Sequence, residues 1–216
     1  MNTLLDIEKP DLVVLNGDLI TGENTYYHNS TKYLDIIAAP MVQRGIPWAS
    51  TYGNHDSGYN LSTAKLLAAE QKYKLSLTRD MIGDPDAGTT NYVLPVFGKR
   101  ADLTPELLLW FFDSRGGSKY QKQEGIEAFV HDLVCCSFIP KILLLIHQAT
   151  KWFRDTDRTL RLKYGRTIPS LLFVHIPVYL QPQITGGLRH QLPGARGTYP
   201  RNRGWLKIGF NDRQVF

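Results

Sequence analysis

Three apolar runs in this sequence each stop at a cluster of polar residues, and no other feature narrows the fold as much. They are Asp11-Leu-Val-Val-Leu-Asn-Gly-Asp18, Ile46-Pro-Trp-Ala-Ser-Thr-Tyr52 followed by Gly53-Asn-His-Asp56, and Pro169-Ser-Leu-Leu-Phe-Val-His-Ile-Pro177. Short aliphatic and β-branched runs without alternation read as strands buried on both faces, and such strands are usually parallel. Between the first two, Ser30 to Arg44 places Leu34, Ile37, Ala38, Met41 and Val42 at helical spacing, with Gly45 as a stop and Pro40 predicting a kink. Strand, helix and strand at this spacing predict a βαβ crossover, right-handed by the usual rule.

The other elements follow from local signals. Leu4 to Val14 reads as the end of a helix leading into the strand that closes at Asp18. Ser62 to Tyr73 reads as a helix with Ser62 as N-cap and Leu66, Leu67 and Ala69 on its apolar side. Asp84 to Gly88 is a loop; Asn91 to Phe97 and Leu107 to Phe112 are strands, joined as an antiparallel hairpin, with Asp113-Ser-Arg-Gly-Gly117 as the turn that follows. Gln148 to Tyr164 is a further helix. From Gln181 onward Gly and Pro are frequent and apolar periodicity fades, which predicts poor order. The division is therefore a domain over residues 1–186 and a basic tail over 187–216.

Composition excludes several classes. With 216 residues, 43% hydrophobic and 21% charged, the chain can bury one sizeable core and is not a disordered segment. The longest apolar run, Leu133 to Ile146, is interrupted by Ser137, Pro140 and Lys141 and is too short to cross a bilayer. Met1 to Glu8 has no basic segment followed by an apolar core, so no secretory leader is expected and a cytoplasmic location is favoured. The cysteines, Cys135 and Cys136, are sequence neighbours and imply no disulfide framework. Asn29 and Asn60 open Asn-x-Ser/Thr triplets, which matter only in a secreted chain.

The net charge of +5 is a property of one end. Residues 1–100 carry 9 Lys/Arg against 11 Asp/Glu, whereas from Gln181 onward six basic residues stand against Asp212 alone. Nucleic-acid binding through that tail would fall steeply with salt. It is not the expected role of the whole chain.

The strand ends carry the chemistry: Asp18, then Asn54, His55 and Asp56, then His175. In α/β sheets, ligands bind beyond the carboxyl ends of parallel strands, so residues distant in sequence can converge there. Singly, each has a structural explanation: Asp18 as a turn cap, Asn54-His55-Asp56 as a polar loop, His175 as a satisfied core histidine. Together, in this order, they outweigh those readings. Carboxylate, amide oxygen and imidazole suit Mn, Fe, Zn or Mg.

Gly17-Asp18, Gly53-Asn-His-Asp56 and His175-Ile-Pro177 resemble the calcineurin-like metallophosphoesterases, closest to fungal and plant phosphatases related to purple acid phosphatases. Trp110-Phe-Phe-Asp-Ser-Arg-Gly-Gly117 matches the strand and turn between the second and third of these motifs. The resemblance implies an α/β/β/α layered sandwich of mixed sheets. It also implies a two-metal site in which Asp18 bridges both ions, Asn54 and His175 ligate one, and His55 acts on the phosphoryl oxygen, oriented by Asp56. Two metals would hold a hydroxide for in-line attack and neutralise phosphoryl charge.

The family's first motif, Asp-x-His, and its last, Gly-His-x-His, have no counterpart, since after His175 only His190 remains. The expectation is an incomplete sandwich, an unpaired edge beside the first strand, and at most one weakly held metal. Residues 131–147 and the tail also depart from the family pattern, so a truncated or mis-spliced product is expected, which sequencing of the full transcript tests. The functional expectation is a metal-dependent phosphomonoesterase, with a phosphate ester or phosphoprotein as substrate. The alternatives are a non-catalytic fragment with a binding or regulatory role, and a phosphodiesterase.

Overall fold

A computed structural model describes residues 1–58, 60–84, 87–98, 104–113, 115 and 139–175, with side chains in the last stretch from residue 148 on. All belong to one compact unit, Met1–Tyr179. The expected boundary at residue 186, the basic tail and Cys135-Cys136 lie outside the described residues.

The element order is α1 (Asn2–Glu8), β1 (Val13–Asn16), α2 (Tyr33–Arg44), β2 (Trp48–Thr51), α3 (Thr63–Glu70), β3 (Tyr92–Phe97), β4 (Pro105–Phe112), α4 (Ile139–Tyr164) and β5 (Ser170–Val174). β1 and β2 pair in parallel, Val13 opposite Trp48 and Asn16 opposite Thr51, with α2 between them in sequence. The expected βαβ unit is thus present. β3 and β4 form the expected antiparallel pair, and β5 adds to β4 in parallel, giving a second sheet of order β3-β4-β5.

Pro40 sits inside α2, and the Arg44 guanidinium donates to its carbonyl at 2.9 Å while also pairing with Asp6 at 2.7 Å, which fastens α1 to α2. Gly45 ends α2 with φ 67, a conformation glycine adopts without steric cost. α4 begins nine residues before the predicted helix, so Ile139 to His147 of the apolar stretch is helical. Pro140 is compatible with this because it lies in the first turn, where no backbone N–H is needed.

Between the sheets the core is aromatic and aliphatic. Tyr92, Phe111 and Phe173, one from each strand of the second sheet, stack at 4.5 and 5.0 Å beside Ala49 and Leu109. On the outer face Trp152 and Phe153 of α4 meet the Trp110 ring edge-on at 5.6 and 4.7 Å. Two expectations need correction. β2 is buried throughout, but β1 is only half-buried, and Leu172 of β5 is 56% exposed. β2 is flanked by β1 and, at Trp48, by residues 75–77, whose backbone bonds to it on the other edge, whereas among the described residues β1 and β5 are each paired along one edge only.

Candidate metal centre

The chain leaves β1 through two left-handed residues, Gly17 (φ 82) and Asp18 (φ 53). A left-handed aspartate is uncommon and costs conformational energy, and such strain gathers where geometry is functionally constrained. It turns the Asp18 carboxylate across the strand ends. Oδ2 lies 3.1 Å from Nε2 of His175, just past β5, and Oδ1 accepts the backbone N–H of His55 at 3.0 Å. Asp18, His55 and His175, separated by up to 157 positions, are therefore together.

Two glycines make this approach possible. A Cβ at Gly17 would lie 2.6 Å from the Cβ of His175, and one at Gly53 would lie 2.7 Å from its Cδ2 and 2.5 Å from the backbone nitrogen of Asp18. Any larger residue at either position displaces the imidazole. On its other side the ring places Nδ1 2.7 Å from the carbonyl of Asn16. A carbonyl only accepts, so this partner assigns a proton to Nδ1 and directs the remaining nitrogen, Nε2, at Asp18.

Asp56 has a different place from the one expected. It is fully buried, and its two oxygens accept the backbone N–H groups of Ile20 and Gly53, both at 2.8 Å. It thereby ties the turn after β1 to the turn after β2. Burial pushes its carboxyl up to about 6, partly opposed by those backbone donors and reinforced by the charge of Asp18. The His55 ring instead meets Glu23, Nδ1 to Oε1 at 3.0 Å. The Asp56 oxygens point instead at the backbone of the two turns. Glu23 lies on a 3₁₀ turn, Gly22–Asn24, five residues beyond Asp18 in a loop without a recognisable pattern, and nothing in the sequence marked it.

Asn54 is the N-cap of the 3₁₀ turn His55–Ser57 and is half-buried. Behind it, Tyr52 is held by Glu70, a fully buried carboxylate that also accepts from Trp48, Ser50 and Thr78. Burial, followed by the Glu70 charge, raises the Tyr52 hydroxyl well above its ordinary value.

The residue types and their convergence agree with the family comparison. The sequence model of the calcineurin-like phosphoesterases matches residues 1–196. The chain belongs to this family. Its fold is accordingly the calcineurin-like α/β domain, with one parallel and one mixed sheet. Among curated relatives, it is similar to "Probable inactive purple acid phosphatase 14" of Arabidopsis thaliana, 29% identical over 79% of this chain and 42% of that protein. "Phosphatase DCR2" of Saccharomyces cerevisiae is 36% identical over 51% of this chain and 20% of that protein. "Probable inactive purple acid phosphatase 29" of Arabidopsis thaliana is 26% identical over 92% and 51%. The chain thus spans about half or less of the length of these relatives. No solved structure matches it.

The family's metal chemistry can be tested against the donors present. Nε2 of His175 and Oδ2 of Asp18 face one another at 3.1 Å, within hydrogen-bond distance, while Nδ1 is committed to the Asn16 carbonyl. Among the described residues no group of three or more His, Cys, Asp or Glu that could hold a metal ion is assembled, so the family's two-metal donor set is not complete among them. Nor, among them, is any helix long and apolar enough to cross a membrane.

Proposed function

We propose that this chain carries the core of a metal-dependent phosphomonoesterase centre that takes one cation, held by Asp18 and His175 with Asn54 as a further oxygen donor. The observation that carries this reading is the 3.1 Å approach of His175 Nε2 to Asp18 Oδ2. Two lone-pair atoms aimed at each other require positive charge between them, from a proton or a metal ion. A bound cation supplies Lewis acidity and a water acidic enough to be hydroxide near neutral pH.

The chain's own residues have separable roles in this reading. Asp18 and His175 bind; Asp56 fixes the two turns against each other through the backbone of Ile20 and Gly53. His55, 44% exposed at its side chain and bonded to Glu23, is the group available to a phosphoryl oxygen or to the leaving-group oxygen. The substrate is a phosphate monoester, and phosphoproteins are within that class.

The test is hydrolysis of an aryl phosphate by the purified chain with Mn, Fe, Zn or Mg supplied in turn, beside Asp18→Ala. Turnover that requires both metal and Asp18 is the expected result. A folded chain without turnover would transfer support to a second reading, a binding or regulatory role that keeps the fold and not the chemistry. That reading is favoured by the small number of donors assembled among the described residues and by relatives whose names call them inactive.

A further inference from the structure

One tripeptide, Asn16-Gly17-Asp18, addresses every polar atom of the His175 ring. The Asn16 carbonyl is 2.7 Å from Nδ1, the Asp18 carboxylate is 3.1 Å from Nε2, and Gly17 leaves room for the ring itself. The end of β5 is held to the same tripeptide by the Asn16 side chain, whose Nδ2 donates to the carbonyl of Val174 at 3.3 Å. The Asn16 Oδ1 accepts from the hydroxyl of Thr51, the last residue of β2, at 3.5 Å. β1 and β2 belong to one sheet and β5 to the other. Asn16 therefore links three strand ends and spans the two sheets at the residue that precedes His175.

We propose that Asn16 is a positioning residue for His175. Its amide fixes the end of β5 so that the backbone carbonyl of Asn16 itself accepts a hydrogen bond from Nδ1–H, and Nε2 is presented to Asp18 before any cation arrives. Partners of this kind, one bond removed from the metal, set the orientation and basicity of a ligating histidine. Asn16 is an exposed residue at a strand end, so its side chain can be removed without opening the core. The role assigned to it rests on the metal-centre reading only for the affinity measurement below.

The test uses the full chain and Asn16→Ala. Long-range proton–nitrogen NMR spectra of the metal-free wild type should show a proton on Nδ1 of His175, with slow exchange against water. In Asn16→Ala that exchange should be faster. Titration with Co²⁺, followed by its visible absorption, should give affinity weaker by about 10- to 100-fold in the variant. A His175 ring protonated on Nε2 alone would overturn the proposal, as would unchanged exchange and unchanged Co²⁺ affinity in Asn16→Ala. A fall in melting temperature with no change at His175 would likewise count against it, because a purely structural tie would give that result. If the wild type takes up no Co²⁺, the metal-centre reading fails, and the Nδ1 proton and its exchange decide the role of Asn16 by themselves.

Discussion

Replacing Glu70 by alanine should destabilise this domain by about 3–5 kcal/mol, and the contacts of its buried carboxylate show why. Oε1 accepts the indole N–H of Trp48 at 2.7 Å and the hydroxyls of Ser50 at 2.6 Å and Thr78 at 2.7 Å. A longer bond comes from Ser76 at 3.3 Å, and Oε2 accepts the hydroxyl of Tyr52 at 2.7 Å. Each buried donor left without a partner costs about 1–3 kcal/mol, but hydroxyls rotate to other acceptors and water can enter the space. The indole N–H has no such freedom. The sum therefore falls near the lower end of four times the single-donor figure, which would be about 4–12 kcal/mol. Against a total stability of about 5–15 kcal/mol, such a loss lowers the melting temperature by roughly 6–20 °C. Glu70→Gln should cost about 1–2 kcal/mol, because its oxygen can keep the Oε1 partners and its amide can donate to Tyr52, with the charge contribution lost. Urea unfolding at neutral pH, read by circular dichroism and by tryptophan fluorescence, measures both. A loss below about 1 kcal/mol for Glu70→Ala would refute the reasoning, and equal losses for the two variants would place the cost in the charge rather than in the bonds.

Asp56 should make stability depend on pH. Its folded-state carboxyl is raised from 3.8 to about 6, so the folded chain holds the proton more tightly than the unfolded chain. The stabilisation is complete below about pH 4 and is lost as pH rises through about 6, a swing of up to about 3 kcal/mol that Asp56→Asn should remove from the pH-dependent unfolding curve. Gly53→Ala should displace Asp18 and His175, since its Cβ would lie 2.7 Å from the imidazole. Destabilisation of about 1–3 kcal/mol together with loss of Co²⁺ absorption is expected, and an unchanged titration would contradict the geometry. Glu23→Gln should slow any metal-dependent turnover while leaving Co²⁺ affinity intact, because Glu23 contacts His55 and neither proposed ligand.

Local periodicity was enough to place the strands, the βαβ unit, the hairpin and α3, because each leaves a repeat of apolar residues in a single stretch of chain. The strand-end residues Asp18, Asn54, His55 and His175 were legible for a similar reason: polar groups that close apolar runs stand out against them. Pairing across the chain was not legible. Glu70 reads as the polar side of α3, yet it follows Leu66 by four residues and so shares its buried face, where donors from β2 and Thr78 await it. The Glu23–His55 contact, the inward turn of Asp56 and the Asn16 tie to β5 join residues up to 158 positions apart. The exposure of Leu172 likewise depends on which strands flank β5, not on its own sequence. The sequence by itself determined which residue types close the strands. The tertiary structure decided which atoms they meet, because hydrogen-bond partners and burial are set by long-range register and leave no local repeat to read.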